Sequence, residues 1–388
     1  METLTIASLA VQVRGVSYKP EDLHSSLDDS SVILLRANNI DDGRINFDDV
    51  VFVDKKKVSN EQYLRKGDIL VCASSGSKSL VGKAASVDFE REVTFGAFCK
   101  VVRPQNSENA DYLAMYFQSP VYRRNIASAA IGININNIRN EHIDALSVKW
   151  PTADNRSEIV KALYTTESII RMRKQQLSAL DDLIKARFVE MFGVEQYPKQ
   201  TLISLIKDDA GLSYGIVQPG DDGTGDMGVL RPVDFVDGHI SMKSIKYIDR
   251  SIGAGFMKTE LTGDELLITV RGTTGITALT DERFAGMNVT RGIAVIRYDI
   301  DRINPVFLNA YLNSDESQRY IQEHTRGATL QQINLSDLRV QMITVPPMTL
   351  QNQFAEFAIA VDKSKSVIQK SLDETQLLFD SLMQKYFG

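Results

Sequence analysis

The chain is poor in the residues that do chemistry. Cysteine occurs only at Cys72 and Cys99, each inside an apolar, strand-like run. That excludes a disulfide framework and a cysteine-built metal site, and it points to buried thiols in a reducing compartment. The histidines, His24, His142, His239 and His324, form no HExxH and no other metal-ligand spacing. No apolar run approaches the roughly 18 residues of a membrane span. The opening METLTIASLAVQVRG has no basic region followed by an apolar stretch, so no secretory leader is expected. The expected location is the cytoplasm.

Catalytic signatures are missing as well. A site for methyl transfer to a flipped adenine needs two prolines preceded by Asp, Asn or Ser and followed by an aromatic residue, with a Gly-rich loop for the methyl donor. Pro346-Pro347 lies between Val345 and Met348 instead. Gly76 to Gly82-Lys83 is one residue too long for a P-loop, and Ala84 lacks the metal-binding hydroxyl. The acidic, Gly-rich GDDGTGDMG at 220–228 lacks the later Glu of a calcium loop. No catalytic residue, cofactor or metal is expected. A basic surplus is also absent: the net charge is −6, and most of the negative excess falls in residues 194–346, with pairs such as Asp208-Asp209 and Asp221-Asp222. Basic residues do cluster, at Lys55-Lys56-Lys57, Arg65-Lys66 and Arg123-Arg124.

What the chain does have is a repeat of half its own length. Leu35-Arg36 recurs as Leu230-Arg231, Gly43 as Gly238, Asp54 as Asp249, Ser119 as Ser314, Pro151 as Pro346, and Phe192-Gly193 as Phe387-Gly388, all at an offset of 195. Gly67-Asp68 matches Gly263-Asp264, and Val93-Thr94 matches Val289-Thr290, at 196. A constant offset along the whole chain indicates a duplicated unit.

Each copy has two parts. The first reads as mixed α/β, with strand-like VILLRANNI, GDILVCASS and GAFCKVVRP separated by Gly, Asn and Asp turn signals. The second is a long helix with heptad spacing. Its seam in copy one is Ile159, Leu163, Thr166, Ile170, Arg173, Leu177, Leu180, Ile184, Arg187 and Met191. Copy two gives Phe354, Ala358, Val361, Lys365, Ile368, Leu372, Thr375, Phe379, Leu382 and Tyr386 in the same register. A helix of about 40 residues spans roughly 60 Å, and two such helices can return antiparallel to each other. The expected fold is α+β: two mixed α/β heads, residues 1–151 and 195–346, separated by two antiparallel coiled-coil helices, residues 152–194 and 347–388, in pseudo-two-fold arrangement.

This order resembles the DNA-specificity subunits of type I restriction–modification systems. The resemblance rests on GDILVCASSG and GDELLITVRGTTG, a Gly-Asp strand followed by a Gly/Ser/Thr-rich turn, and on IGININNIRNEHIDALSVKWP and RGATLQQINLSDLRVQMITVPP, which close each head. PPMTLQNQFAEF resembles the start of the family's helix; copy one has Trp150-Pro151, and Arg156 where copy two has Gln351. The resemblance implies target-recognition domains that each read half of a split, asymmetric site in double-stranded DNA. It also implies helices that set the spacing and dock two methyltransferase subunits, through which restriction subunits join. A non-catalytic recognition subunit follows. A DNA-independent, two-headed coiled-coil adaptor is the alternative that the acidic charge leaves open.

Base edges are read by Arg, Lys, Asn, Gln, Ser and Thr on elements that can enter a groove. Four repeat-related sets supply candidates. Arg14, Tyr18 and Lys19 have their counterpart near Ser213 and Tyr214; Arg36, Asn38 and Asn39 match the segment opened by Arg231. Ser75, Ser77 and Lys78 lie near the position of Arg271, Thr273 and Thr274, and Asn134, Asn136, Asn137 and Arg139 match Thr329, Gln331, Gln332 and Asn334. Arg36 and Arg231 recur identically, which suits framework or phosphate positioning. The Asn-rich and Gln-rich loops differ between copies, which suits readout.

Overall fold

The computed structural model describes residues 2–77, 80–129, 136–193, 196–208, 210–220, 225–236, 238–328 and 330–388. It divides into two compact units, Met1–Lys174 with Lys370–Gly388, and Gln175–Gln369.

In the first unit an antiparallel sheet has the order Ala84–Ser86, Ile69–Cys72, Cys99–Pro104, Ala10–Arg14. Its central strand, ILVC, is buried along its whole length, because helix Ala110–Gln118 and the next sheet cover it. That second sheet orders Val93–Phe95, Ser31–Leu35, Val51–Asp54 and Leu23–His24, with Val93–Phe95 parallel to Ser31–Leu35. Strand Glu2–Thr5 pairs with Ser147–Trp150. Cys72 and Cys99 are free, buried and opposite each other on neighbouring strands, and burial pushes both thiols up.

The second unit repeats this plan. Its first sheet runs Ser213–Tyr214, Ile293–Ile296, Leu266–Thr269, Thr277–Leu279, and its second runs Lys246–Ile248, Met227–Leu230, Asn288–Val289. Lys199–Thr201 pairs with Met342–Thr344. Both units are mixed α/β in the α+β manner.

Many repeated residues make the same bond. Tyr116 Oη donates to the Ser147 carbonyl and Tyr311 Oη to that of Met342, each at 3.2 Å. Ser119 Oγ accepts the Tyr122 N–H, and Ser314 Oγ that of Ser317. Asp54 caps the N–H of Lys56, and Asp249 that of Ser251. Arg156 stands in for Gln351 contact by contact. Arg156 donates to the Pro151 carbonyl at 2.7 Å and to Asn109 Oδ1 at 3.1 Å. Gln351 donates to the Pro346 carbonyl at 2.8 Å and accepts the Asn304 N–H at 2.9 Å. Copy one departs in sequence while keeping the junction.

The two matches at 196 are not structural equivalences. Strand Leu266–Thr269 corresponds to Ile69–Cys72 at an offset of 197, and Ile293 pairs with Thr269 as Cys99 pairs with Cys72, an offset of 194. Asp68 is therefore matched by Glu265. Asp68 is buried, accepts the Arg65 N–H and takes both arms of Arg103 at 2.8 and 2.7 Å. Glu265 is buried, accepts the Thr262 N–H at 2.8 Å and lies 3.5 Å from Arg297. Asp264, the sequence match, sits at the surface beside Lys207. Likewise Val93 and Met287 hold the same place, each accepting the N–H of a buried leucine, Leu64 and Leu261.

The long helices are Ala153–Phe192 and Met348–Phe387. Every heptad position named above is buried or half-buried. In the first unit Ile159 and Leu163 share a core with Met383 and Phe387, and the Phe387 ring lies 5.2 Å from Tyr112. In the second unit Phe188 and Phe192 pack on Phe354 at 5.4 and 5.8 Å, and Asp181 pairs with Lys365. Within that unit the two helix segments thus run in opposite senses. Arg187 does not cross the seam to a carboxylate; it pairs with Glu190 on its own helix, with its guanidinium 5.8 Å from the Phe357 ring.

A close backbone approach fixes one end of each sheet. A Cβ on Gly15 would lie 2.1 Å from the Gly96 carbonyl oxygen, and one on Gly215 would lie 1.8 Å from that of Val289. Neither neighbour is a side chain that can swing away. Gly15→Ala and Gly215→Ala are each expected to destabilise by roughly 1–3 kcal/mol or more, whereas Gly76→Ala, which meets nothing within 4 Å, is expected to be near neutral. Denaturant unfolding of the three variants checks this; equal midpoints contradict the packing described.

Candidate nucleic-acid interface

The four candidate sets in each unit converge because one short turn ties them together. In the first unit that turn is Gly96-Ala97-Phe98. The Gly96 N–H donates to the Leu35 carbonyl at 2.9 Å, next to Arg36. The Ala97 N–H donates to the Val16 carbonyl at 2.9 Å, between Arg14 and Tyr18. The Phe98 carbonyl accepts the N–H groups of Ala73 and Ser74 at 2.9 and 3.0 Å. Ser74–Ser75 then pairs with Asn136–Asn137, and Ile138 N–H bonds the Ala73 carbonyl.

The second unit builds the same junction on Thr290-Arg291-Gly292. Thr290 N–H donates to Leu230, next to Arg231; Arg291 N–H donates to Ile216, two residues past Tyr214; and Gly292 accepts from Val270, next to Arg271. Gly272 N–H bonds the Gln331 carbonyl and Ile333 N–H that of Val270, at 2.8 and 3.0 Å. Segments far apart in sequence are thus joined by backbone bonds around one turn in each unit.

The side chains on these faces sort into framework and free groups. Asn39 is fully buried, accepts the Arg36 N–H and donates to the Asn46 and Asp49 carbonyls. Reaching a groove would require breaking all three of these bonds. Arg36 and Asn38 both meet the exposed Asp49 carboxylate, at 2.9 and 2.7 Å. Arg231 grips the buried Asp234 and bonds the Ser244 carbonyl. Each of the identical arginines is thus paired with a carboxylate of its own unit.

Arg14 is exposed and faces Lys100 across the strand pair. Burial pulls the Lys100 ammonium below its ordinary value; Asp144 opposes this, and the Arg14 charge adds to it. Tyr18 is half-buried against Val16 and Val32, and Lys19 reaches Glu21 at 3.8 Å. Ser213 is half-buried and Tyr214 exposed. Ser75 Oγ accepts the Ser77 N–H, and Thr274 shares a hydrogen bond with Thr325. Asn137, Thr273 and Gln331 are exposed, and Arg271 is half-buried, with no hydrogen bond or ion pair to its guanidinium among the described residues. Gln332 bridges Arg271 and Arg326 through its backbone. Arg139 and Asn334 open the helices Asn140–Asp144 and Leu335–Val340. Lys78, Asn134 and Thr329 lie outside the described residues, and of Asn136 only the backbone is described.

Sequence reasoning missed the turn itself. It is too short and, in the first copy, too apolar to register as a polar cluster. The signal available was Arg291, a lone arginine between two apolar strands.

Over 100% of this chain and 96% of that one, the structure superposes on the S subunit of the type I restriction-modification system from M. genitalium with a TM-score of 0.58 at 13% identity. The type I restriction modification DNA specificity domain matches residues 238–375. The sequence is 25% identical to the type I restriction enzyme EcoKI specificity subunit of Escherichia coli (strain K12), covering 98% of this chain and 87% of that protein. It is also 25% identical to the StySPI specificity subunit of Salmonella potsdam, covering 99% and 88%. The resemblance read from the sequence is borne out: the chain is similar to the DNA specificity subunits of type I restriction–modification systems. The DNA-independent adaptor is set aside.

Proposed function

We propose that the chain supplies recognition and no catalysis: each head reads one half of a split, asymmetric site in double-stranded DNA. The long helices form an antiparallel coiled coil that spaces the halves and docks two methyltransferase subunits in the cytoplasm. Restriction subunits join through those methyltransferases. The observation that carries this reading is the junction turn, whose backbone bonds repeat in both units while the exposed side chains around it differ. A shared scaffold with divergent outward residues suits two readers of different sequences. The remaining candidates, Arg14, Ser75, Asn137, Arg271, Thr273 and Gln331 foremost, lie on the proposed reading faces. Sequencing methylated sites in cells with and without this gene is the direct test, since the sites must follow the chain.

The net charge of −6 sets a further expectation. Affinity for duplex DNA comes largely from phosphate neutralisation and falls steeply with salt, and Arg36 and Arg231 are already paired with carboxylates. The isolated chain is expected to bind DNA poorly at physiological salt, and addition of a methyltransferase partner to raise both affinity and sequence preference. A gel shift showing tight, sequence-specific binding by the lone chain contradicts this division of labour.

A further inference from the structure

The junction turns differ where their side chains meet solvent. In the second unit Arg291 is exposed, and its guanidinium has no hydrogen bond or ion pair among the described residues. In the first unit the turn presents Ala97 and Phe98, and Phe98 is 70% exposed. A single exposed apolar residue is ordinary, but this one stands on a rigid turn. Its carbonyl is held by two N–H groups, and the preceding two N–H groups are bonded to Val16 and Leu35. In the second turn the Thr290 and Arg291 N–H groups are bonded to Leu230 and Ile216 and the Gly292 carbonyl accepts the Val270 N–H, so the Arg291 side chain starts from a fixed backbone beside the candidate residues. Rigid presentation lowers the entropy lost on contact.

We infer that this turn is a base-reading element, with Arg291 contacting a guanine in the half-site of the second unit and Phe98 a thymine methyl in that of the first. The inference rests on the DNA-recognition reading above. The arginine fork matches the O6 and N7 acceptors of guanine, and an aromatic edge suits the thymine C5-methyl group in the major groove. Framework arginines on the same faces are spent on carboxylates; Arg291 is not.

The test uses the full chain assembled with its methyltransferase partners, as wild type, Arg291→Ala, Arg291→Lys and Phe98→Ala, with methylated sites sequenced for each. Arg291→Ala is expected to lower the preference for guanine at one position of one half-site by roughly ten-fold or more, leaving the other half unchanged. Arg291→Lys keeps the charge but loses the fork, so affinity should persist while that preference falls. Phe98→Ala should relax a thymine position in the opposite half. Unmoved preferences in all three variants overturn the inference. So does an equal loss at every site with a salt slope smaller by about 1, the mark of a phosphate contact. In both cases the wild-type chain still directs methylation and the broader reading stands. Methylation that ignores even the wild-type chain overturns that reading and this inference together.

Discussion

Phe354→Ala is expected to destabilise the second unit by about 3–5 kcal/mol, the usual cost of emptying a fully buried phenylalanine site. The ring is completely buried between Phe188 at 5.4 Å and Phe192 at 5.8 Å. Phe307 packs on both of those rings, at 5.7 and 5.0 Å. Three segments therefore meet at one aromatic cluster: the end of the first long helix, the start of the second, and helix Pro305–Leu312 of the globular part. None can close toward the gap without moving another, so relaxation recovers little of the loss. Val367→Ala, on the same helix but 71% exposed, is the control and should change stability by less than about 0.5 kcal/mol. Chemical denaturation of both variants checks the contrast. Equal midpoints mean that the long helices do not belong to the core of this unit.

That cluster also explains why the helices are legible in the sequence. Heptad spacing survives in both copies because each seam position must face away from water, and the structure keeps all of them at least half-buried. The repeat was legible for the same reason wherever one geometry demands one side chain. Tyr116 and Tyr311 reach equivalent carbonyls, and Asp54 and Asp249 cap equivalent turns. It misled where two residue types can do one job. Asp68 and Glu265 both accept backbone N–H groups and face an arginine while differing by a methylene. Identity was lost there although the role persisted, and a chance Gly-Asp pair one residue away supplied a false register. Arg156 and Gln351 are a second such case.

The candidate face was legible in its parts and not in its assembly. Polar side chains in turns flagged Ser75, Asn137, Arg271 and Gln331, but nothing in the sequence brings residue 75 to residue 136, or 271 to 332. Backbone pairing does that. The composition of a turn likewise cannot tell a reader from a cap. Asn39 has the right chemistry for reading adenine and spends all of it on its own loop, with its amide on the Asn46 and Asp49 carbonyls.

Exchanging residues 1–151 for the first recognition domain of another specificity subunit is expected to change one half of the methylated target completely and leave the other half untouched. Base-specifying contacts are local to the side chains that reach the groove, and the residues proposed to read DNA in the first unit, Arg14–Lys19, Arg36, Ser75 and Asn137, all lie inside the exchanged segment. The exchange has one structural condition. The first unit is completed by the far end of the chain: Phe387 packs on Tyr112 at 5.2 Å and on Tyr116 at 6.0 Å. An incoming domain with aromatic residues at those two positions keeps that contact, whereas small residues there leave a cavity beneath Phe387, with a cost on the order of 3 kcal/mol or more. The spacing between half-sites should persist because both helices are retained, and inserting residues between the first helix and the second head should lengthen it while both halves stay readable. Sequencing methylated DNA from cells carrying each chimera separates the outcomes. A swap that alters both halves together means that the two faces read as one joint surface, and independent half-site reading is then wrong.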